Sequence, residues 1–344
     1  MAANYWASSQ RHHWLFTRSQ LDETHQDDLR LCTPDELRYL KIYFYGLILR
    51  LGKRLNLRQQ PIATATAYFS RFYTRAQYVE TNPYLVLTTC LYLACKTEES
   101  PVHIRTVVAE ARHIFPEHVP SDTTKVAECE FYLIEELGSD LVTFHPYTTV
   151  IRLKEVLKIA QNDFETIWTT INDTYSTDLI LLHPPHIIAM TAIYITLILP
   201  PIPSHNSVSH AVFTMEREVE KGTTRDKDTL MDFFAKGNID MEAVAECTQE
   251  IMSLYEVWQG FRERSSERMI KVFAVAFGCA VASAAVLCRA RFISESLARE
   301  KDKRGHLYTH PVRSLIDVTV TTTIIYSLRH LYSLLQQPRL LFTP

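Results

Sequence analysis

The stretch that decides the fold is Asn82-Pro-Tyr-Leu-Val-Leu-Thr-Thr-Cys-Leu-Tyr-Leu-Ala-Cys-Lys96. Asparagine caps helix N-termini well and proline is favoured in the first turn, so Asn82-Pro83 predicts a helix start. The residues that follow are apolar on nearly every side of such a helix. Because a helix that is apolar all round is enclosed by other helices, this stretch predicts the central helix of an all-α bundle.

Four further helices flank this central one in the same unit. Apolar residues recur at helical spacing over residues 36–55, and a second helix follows Pro61 and runs to residue 72. Beyond the central helix, amphipathic patterns cover residues 104–111 and 124–137. The first part of the chain is therefore predicted to fold as a five-helix bundle.

A related pattern returns about a hundred residues later, where Pro184-Pro185 precedes another nearly all-apolar run. Setting Pro83 against Pro185 places Tyr92 on Tyr194 and matches apolar residues along both helices. This periodicity indicates a duplicated all-α domain. The second unit is interrupted by residues 204–228, which are rich in Ser, His, Thr and charge and predict a mobile surface insertion. It closes with an amphipathic helix over residues 241–261.

Composition fits an intracellular globular protein and offers no catalytic constellation. The 344 residues suffice for two domains, and only 8 glycines argue against phosphate-binding loops. A formal net charge of −3 provides no basic field for nucleic acid, and the seven scattered cysteines indicate reduced, buried thiols. We expect no metal, no cofactor, no enzymatic activity and no signal peptide.

Several strings in the chain resemble the cyclin C family, the cyclin-like subunits of the RNA polymerase II holoenzyme and Mediator kinase module of fungal type. The resemblance runs in order over roughly residues 1–262. The strings that carry it are Asn4-Tyr-Trp-Ala-Ser-Ser-Gln10, Leu57-Arg-Gln-Gln-Pro-Ile-Ala-Thr-Ala-Thr-Ala-Tyr-Phe-Ser-Arg-Phe-Tyr73, Leu93-Ala-Cys-Lys-Thr-Glu-Glu99, Glu128-Cys-Glu-Phe-Tyr-Leu-Ile-Glu-Glu136, Phe144-His-Pro-Tyr147 and Ile171-Asn-Asp-Thr-Tyr-Ser-Thr-Asp-Leu179.

The resemblance implies two tandem cyclin boxes, each a five-helix bundle. It places an N-terminal segment at residues 1–34, the boxes at 35–140 and 141–262, and an atypical tail at 263–344. It also implies a nuclear, non-catalytic subunit that activates the cyclin-dependent kinase of the Mediator kinase module. Other subunits of that module are expected partners, and the role in RNA polymerase II transcription is that of activator or repressor.

The strongest candidate site pairs Lys96 with Glu130. Successive helical residues advance by about 100°, so Glu130 shares an apolar stripe with Val126, Leu133 and Leu137. A carboxylate in such a stripe is costly unless it is paired, and Lys96 ends the apolar central helix. The pair is either an internal brace between two helices or, as the resemblance implies, also a contact for the kinase's regulatory helix; we favour the second reading.

Other candidates are weaker. The resemblance extends kinase binding to Glu99, Tyr5 and Trp6, since exposed aromatics are favoured interface anchors. The alternative is an N-terminal helix that packs these aromatics and Trp14 on the first box. A basic cluster at Arg50, Lys53, Arg54 and Arg58 is by default a solvated face, and Arg54 and Arg58 form a possible docking patch for an acidic partner.

One ion pair of the cyclin pattern is missing. Many cyclins join the first two helices of the box by an Arg–Asp pair, and this chain has Lys41 and Ser70 there. That brace is therefore not expected in the same form.

Beyond about residue 262 the resemblance ends. Residues 272–288 are uncharged, at the lower length limit for a membrane span, and only weakly hydrophobic. Residues 318–326 are β-prone. The tail is a misassigned gene end or dispensable extension, a membrane anchor, or a helix that packs on the second box; we favour the first, so that contact with a membrane is not expected.

A second class of function also uses paired cyclin-like boxes. General initiation factors place them on DNA–protein complexes, but such factors need a basic surface and usually a zinc ribbon. This chain has neither a basic charge balance nor cysteine pairs at zinc spacing. We therefore expect no direct contact with nucleic acid and favour the kinase-binding cyclin.

Overall fold

The structure, a computed structural model, describes residues 4–30, 32–78, 80–199 and 227–263. Every regular element in these residues is helical and none is a strand, which confirms the predicted all-α class. Residues 1–78 and 83–272 belong to one compact unit. Residues 79–82 and 273–344 belong to a second unit, of which only residues 80–82 are described.

The N-terminal half holds two short helices followed by five longer ones. The short helices are α1 (Ser9–His13) and α2 (Arg18–Thr24). The longer ones are α3 (Pro34–Arg54), α4 (Gln59–Phe72), α5 (Pro83–Thr97), α6 (Ile104–Ile114) and α7 (Thr123–Glu136). These five are the helices predicted for the first bundle, with boundaries shifted by up to three residues.

A second helical group follows. It comprises α8 (Tyr147–Val156), α9 (Gln161–Thr174), the single turn α10 (Leu179–Leu182), α11 (Pro185–Leu197), α12 (Lys227–Lys236) and α13 (Met241–Glu263). Helix α11 begins at Pro185 as α5 begins at Pro83, so Tyr194 and Tyr92 occupy matching positions in their helices. The repeat read from the two prolines is therefore present in the structure.

Local sequence explains where the long helices begin. Thr33 caps α3, its side chain accepting from the Glu36 N–H while the Glu36 carboxylate accepts from the Thr33 N–H, and Pro34 takes the first helical position. Helix α4 begins two residues before the predicted Pro61. Proline is tolerated there because the N–H groups of the first turn have no partner within the helix.

The two apolar helices are the centres of their bundles, as predicted. Helix α5 packs against α3, α4, α6 and α7, and its Leu87, Cys90 and Leu91 are wholly buried. Helix α11 packs against α8, α9 and α13, and its Tyr194 ring meets Phe234 of α12 at 5.7 Å. Full burial of one leucine side chain stabilises the folded state by about 2 kcal/mol. The buried side chains of α5 and α11 therefore contribute strongly to the hydrophobic stabilisation of their bundles.

Lys41, at the position where many cyclins have the arginine of an Arg–Asp pair, forms its ion pair with a different residue. Lys41 of α3 donates to both carboxylate oxygens of Asp178 at 2.8 Å, just before α10. Ser70 lies beside this pair in the lining of a small cavity of about 20 Å³. The lysine therefore ties the first bundle to the second instead of joining the first two helices of one bundle.

The N-terminal segment packs tightly on the bundles. Trp14 is wholly buried, which agrees with the packed alternative for this residue and excludes it as an exposed anchor. Its indole N–H donates to Asp140 at 3.1 Å, and the guanidinium of Arg71 lies 5.2 Å from its ring centroid. Gln10 accepts from the backbone N–H of Phe144 at 2.6 Å and donates to its carbonyl at 3.2 Å.

Two predicted features lie largely or wholly outside the described residues. Of the predicted insertion at 204–228, residues 204–226 lie outside the described residues. Its last two residues form the start of α12. The tail from residue 264, which includes the apolar stretch 272–288, lies wholly outside the described residues. Among the helices that the structure does describe, none has both the length and the apolar character needed to cross a membrane.

Candidate functional site

The predicted pair of Lys96 and Glu130 is formed. The Lys96 ammonium donates to Oε1 of Glu130 at 2.6 Å and lies 5.2 Å from the ring centroid of Tyr92. The Glu130 side chain is 11% exposed and the Lys96 side chain 48% exposed. The expectation of an apolar setting therefore holds for Glu130, whereas Lys96 is half in solvent.

Helical periodicity places Glu130 where it is. Val126, Leu133 and Leu137 of the same stripe are wholly buried, and Glu128 projects outward with 59% of its side chain exposed. Glu130 is thus carried to the edge of the core by its neighbours, where Lys96 pairs with its charge. The contact fixes α5 against α7 at this point.

The pairing favours the charged form of Lys96. The hydrogen bond to Glu130 raises the pKa of Lys96 above its usual value. An ammonium has three donors, of which Glu130 occupies one, and a carboxylate accepts several hydrogen bonds. The pair consequently presents a donor and an acceptor side by side at the surface between α5 and α7.

A polar network joins the end of α5 to α4. Glu98, at the end of α5, accepts from Thr64 and Gln60 at 2.6 Å each. His145 contacts Thr64 at 2.7 Å and Tyr175 at 2.6 Å. Burial alone would raise the pKa of Glu98, but the hydrogen bonds from His145, Thr64 and Gln60 outweigh it and lower that pKa. This network, which holds the end of α5, was not predicted.

Glu99 lies next to the pair but not in it. It follows the end of α5 with a φ of 51°, a left-handed conformation that is uncommon outside glycine and typical of a residue ending a helix. Its side chain is exposed, and the N–H of the next residue, Ser100, closes the helix on the carbonyl of Cys95 at 2.9 Å.

The two candidate aromatics of the N-terminal segment differ in exposure. Trp6 is 56% exposed; the guanidinium of Arg11 lies over its ring at 5.1 Å from the centroid, and the His186 ring lies at 5.4 Å between centroids. Tyr5 is half-buried against Phe144, with ring centroids 5.5 Å apart. Burial raises the pKa of the Tyr5 hydroxyl. Trp6 alone of the three N-terminal aromatics retains a large accessible face.

The basic candidates at the end of α3 are only partly available. Arg54 forms an ion pair with Glu110 of α6 at 2.5 Å, which compensates its charge. Arg58 is exposed just before α4. The docking patch stays a prediction that depends mainly on Arg58.

Similarity to known proteins decides the family. The N-terminal cyclin domain model matches residues 11–142. The RNA polymerase II holoenzyme cyclin-like subunit of Aspergillus clavatus is 42% identical over 292 residues, covering 78% of this chain and 96% of the relative. This chain belongs to that family of cyclin-like subunits. Relatives with the same description from Yarrowia lipolytica and Saccharomyces cerevisiae are 42% and 37% identical, covering 77% of this chain and 96% and 95% of their own length.

Solved structures agree on the fold of this cyclin-like subunit. A chain of the Chaetomium thermophilum CAK complex bound to ATP-γ-S superposes with a TM-score of 0.53 at 18% identity, covering 72% of this chain and 79% of that one. A chain of the yeast TFIIK (Kin28/Ccl1/Tfb3) complex gives 0.50 at 23% identity, covering 72% and 100%. At these identities the likeness concerns the fold alone.

In the part of the chain that the structure describes, metal-ligating side chains do not cluster and two cavities near the bundle junction are small. No group of three or more metal-ligating side chains occurs within the described ranges. The two cavities nearest the bundle junction hold about 20 and 10 Å³, room for about one water each. What the Lys96–Glu130 pair offers chemically is a hydrogen-bond donor and an acceptor at the surface between α5 and α7.

Proposed function

We propose that this cyclin-like subunit binds and activates the cyclin-dependent kinase of the Mediator kinase module in the nucleus. The observation that carries the proposal is the Lys96–Glu130 pair, formed at 2.6 Å where α5 meets α7, with Lys96 half exposed and Glu130 at the edge of the core. The names of the relatives place them in the RNA polymerase II holoenzyme, and a further solved structure of like fold, with a TM-score of 0.53, comes from the yeast RNA Pol II CTD kinase CTDK-1 complex. Domain limits of 35–140 and 141–262 for the two boxes belong to the same proposal.

Activation works through position. Protein kinases need a glutamate on a regulatory helix to pair with the lysine that orients ATP, and movement of that helix switches activity. A rigid surface that binds the active position more tightly shifts the equilibrium towards it. The free donors of Lys96 and the acceptor oxygens of Glu130 suit the backbone carbonyl and amide groups of such a partner segment.

We assign the remaining kinase-binding candidates, Glu99, Trp6 and Tyr5, to the rim of this proposed interface. Exposed Glu99 lies three residues from Lys96, and Trp6 presents a broad aromatic face with Tyr5 behind it. Aromatic anchors carry a large share of binding energy in many interfaces, whereas charged rim residues carry less. The other subunits of the kinase module are proposed to meet surfaces away from the Lys96–Glu130 pair.

The proposal is tested by binding and kinase assays on the full chain. We expect Lys96→Ala and Glu130→Ala each to weaken kinase binding by about tenfold or more and to lower kinase activation in parallel. Lys154→Ala is the matched control, because that lysine lies on α8 beside the Phe164 ring, away from the pair. Folded wild-type chain that binds no kinase would end the proposal and favour a cyclin-box scaffold on DNA–protein complexes.

A further inference from the structure

The outer stripe of α7, beside the Lys96–Glu130 pair, carries an exposed aromatic residue. Phe131 follows Glu130 directly and is 76% exposed, more than any other large apolar residue that the structure describes. Single exposed apolar residues are common on protein surfaces, so exposure alone does not mark a site. Its neighbours and its position next to the proposed interface do.

Helical spacing sets Phe131 between two carboxylates. Glu128 precedes it by three residues and Glu135 follows it by four, so all three share one stripe of α7. Glu128 and Glu135 are both exposed. Lys125 pairs with Glu128 at 2.8 Å, whereas Glu135 takes part in no ion pair among the residues that the structure describes.

The charge of α7 as a whole is one-sided. The helix contains four glutamates and one lysine, and Lys96 from α5 compensates one of those glutamates. An apolar side chain framed by carboxylates fits a partner segment that offers an apolar side chain with Lys or Arg beside it. Such a segment covers Phe131 and neutralises Glu135 in the same contact.

We propose that Phe131, with Glu128 and Glu135, is a second anchor for the kinase and receives a basic segment of it with an apolar side chain at its centre. This inference rests on the proposed function and deepens it, since it states the chemistry of the partner's contacting segment. Lys96 and Glu130 form directional hydrogen bonds with the kinase. Phe131 adds apolar surface that is buried in the complex, and Glu135 favours a partner segment with positive charge.

The apolar part is tested with Phe131→Ala on the full chain and the cyclin-dependent kinase of the Mediator kinase module as the probe. An exposed helical residue tolerates alanine, so the variant keeps its fold, which helical circular dichroism verifies. We expect the dissociation constant to rise by about tenfold. Val156→Ala is the control, because that valine is 70% exposed on α8, and its effect is expected to stay below about twofold.

The charge part is tested with Glu135→Lys. We expect about fivefold weaker binding at about 50 mM salt, shrinking towards wild type at about 500 mM because salt screens exposed charges. Glu117→Lys, an exposed residue between α6 and α7, makes the same charge change as a control. An effect of Glu117→Lys equal to that of Glu135→Lys contradicts the stripe and points to overall charge.

The outcomes separate the two proposals. Lost binding in Lys96→Ala with unchanged binding in Phe131→Ala overturns the second anchor and leaves the proposed function standing. Lost binding in Phe131→Ala with no effect of Glu135→Lys overturns the basic character of the partner segment. Failure of the wild-type chain to bind the kinase overturns both.

Discussion

At the scale of single residues, Asp173 near the end of α9 is the least expected finding. It is a largely buried carboxylate whose Oδ2 accepts from the Tyr255 hydroxyl at 3.1 Å, and it has no cationic partner in the part of the chain described by the structure. Burial raises the pKa of Asp173 to about 7, partly offset by the Tyr255 hydrogen bond. The folded protein therefore holds this proton at pH values where the unfolded chain has lost it.

The sign of the resulting pH dependence follows from linkage. Folding raises the pKa of the Asp173 carboxyl from 3.8 to about 7. The free energy of unfolding therefore falls as pH rises between these two values, and the loss stays constant at higher pH. We expect Asp173→Asn to remove a cost of about 4 kcal/mol at pH 8 and about 2 kcal/mol at pH 5. Asparagine keeps an oxygen to accept from Tyr255.

Urea unfolding of both proteins at pH 5 and pH 8 measures this. Asp232→Asn serves as the control, because Asp232 lies exposed on α12 next to Lys236. A gain from Asp173→Asn that is the same at both pH values contradicts a raised pKa at this site.

At the scale of elements, sequence pattern predicted the helices enclosed at the centre of a bundle better than the half-exposed ones around them. The apolar runs after Pro83 and Pro185 stand out because full burial removes any need for a polar face. Helices α1, α8 and α9 are shorter or half exposed, so their patterns predicted no separate boundaries. Pairing of Lys96 with Glu130 could be predicted because both charges interrupt apolar stripes.

The rest of the site needed the structure. The contacts of His145 with Thr64 and Tyr175 join residues far apart in the chain, and neither spacing nor composition signals them. Trp14 was expected either exposed or packed, and only tertiary contacts distinguish the two. Asp178 as the partner of Lys41 was equally out of reach, since 137 positions separate them.

The N-terminal helix α1 provides a prediction at this scale. Trp14 follows it, is wholly buried, and lies between the guanidinium groups of Arg71 and Arg75, at 5.2 and 4.7 Å from its ring centroid. We expect Trp14→Ala to lower the free energy of unfolding by about 3–5 kcal/mol. Chemical denaturation measures this, with Trp6→Ala as the control that changes it by less than about 0.5 kcal/mol, because Trp6 is largely exposed. Equal effects of the two variants would contradict the packed position of the segment.

At the scale of the whole molecule, a few polar contacts join the two helical groups. Lys41 of α3 meets Asp178 before α10, and the Tyr45 hydroxyl of α3 donates to the carbonyl of Asn172 in α9 at 2.6 Å. Burial alone would raise the pKa of Asp178, but the nearby charge and hydrogen bond of Lys41 lower it. A carboxyl with a depressed pKa stabilises the folded state above its unfolded pKa, and this stability is lost as pH falls through the folded value.

This junction makes the cooperativity of unfolding testable. We expect Lys41→Met or Asp178→Asn alone to destabilise by up to about 3–5 kcal/mol, because each leaves a mostly buried partner unsatisfied. The double variant is expected to lose less than the sum, since it leaves no unpaired charge, which a double-mutant cycle in urea quantifies. Additive losses would mean that Lys41 and Asp178 act independently. With the tie removed, unfolding is followed by fluorescence in variants that keep one of the four tryptophans, either Trp14, which packs on the first helical group, or Trp168, which lies in α9 of the second. We expect the two signals to report separate transitions, whereas coincident ones would show that apolar contacts alone keep the two groups cooperative.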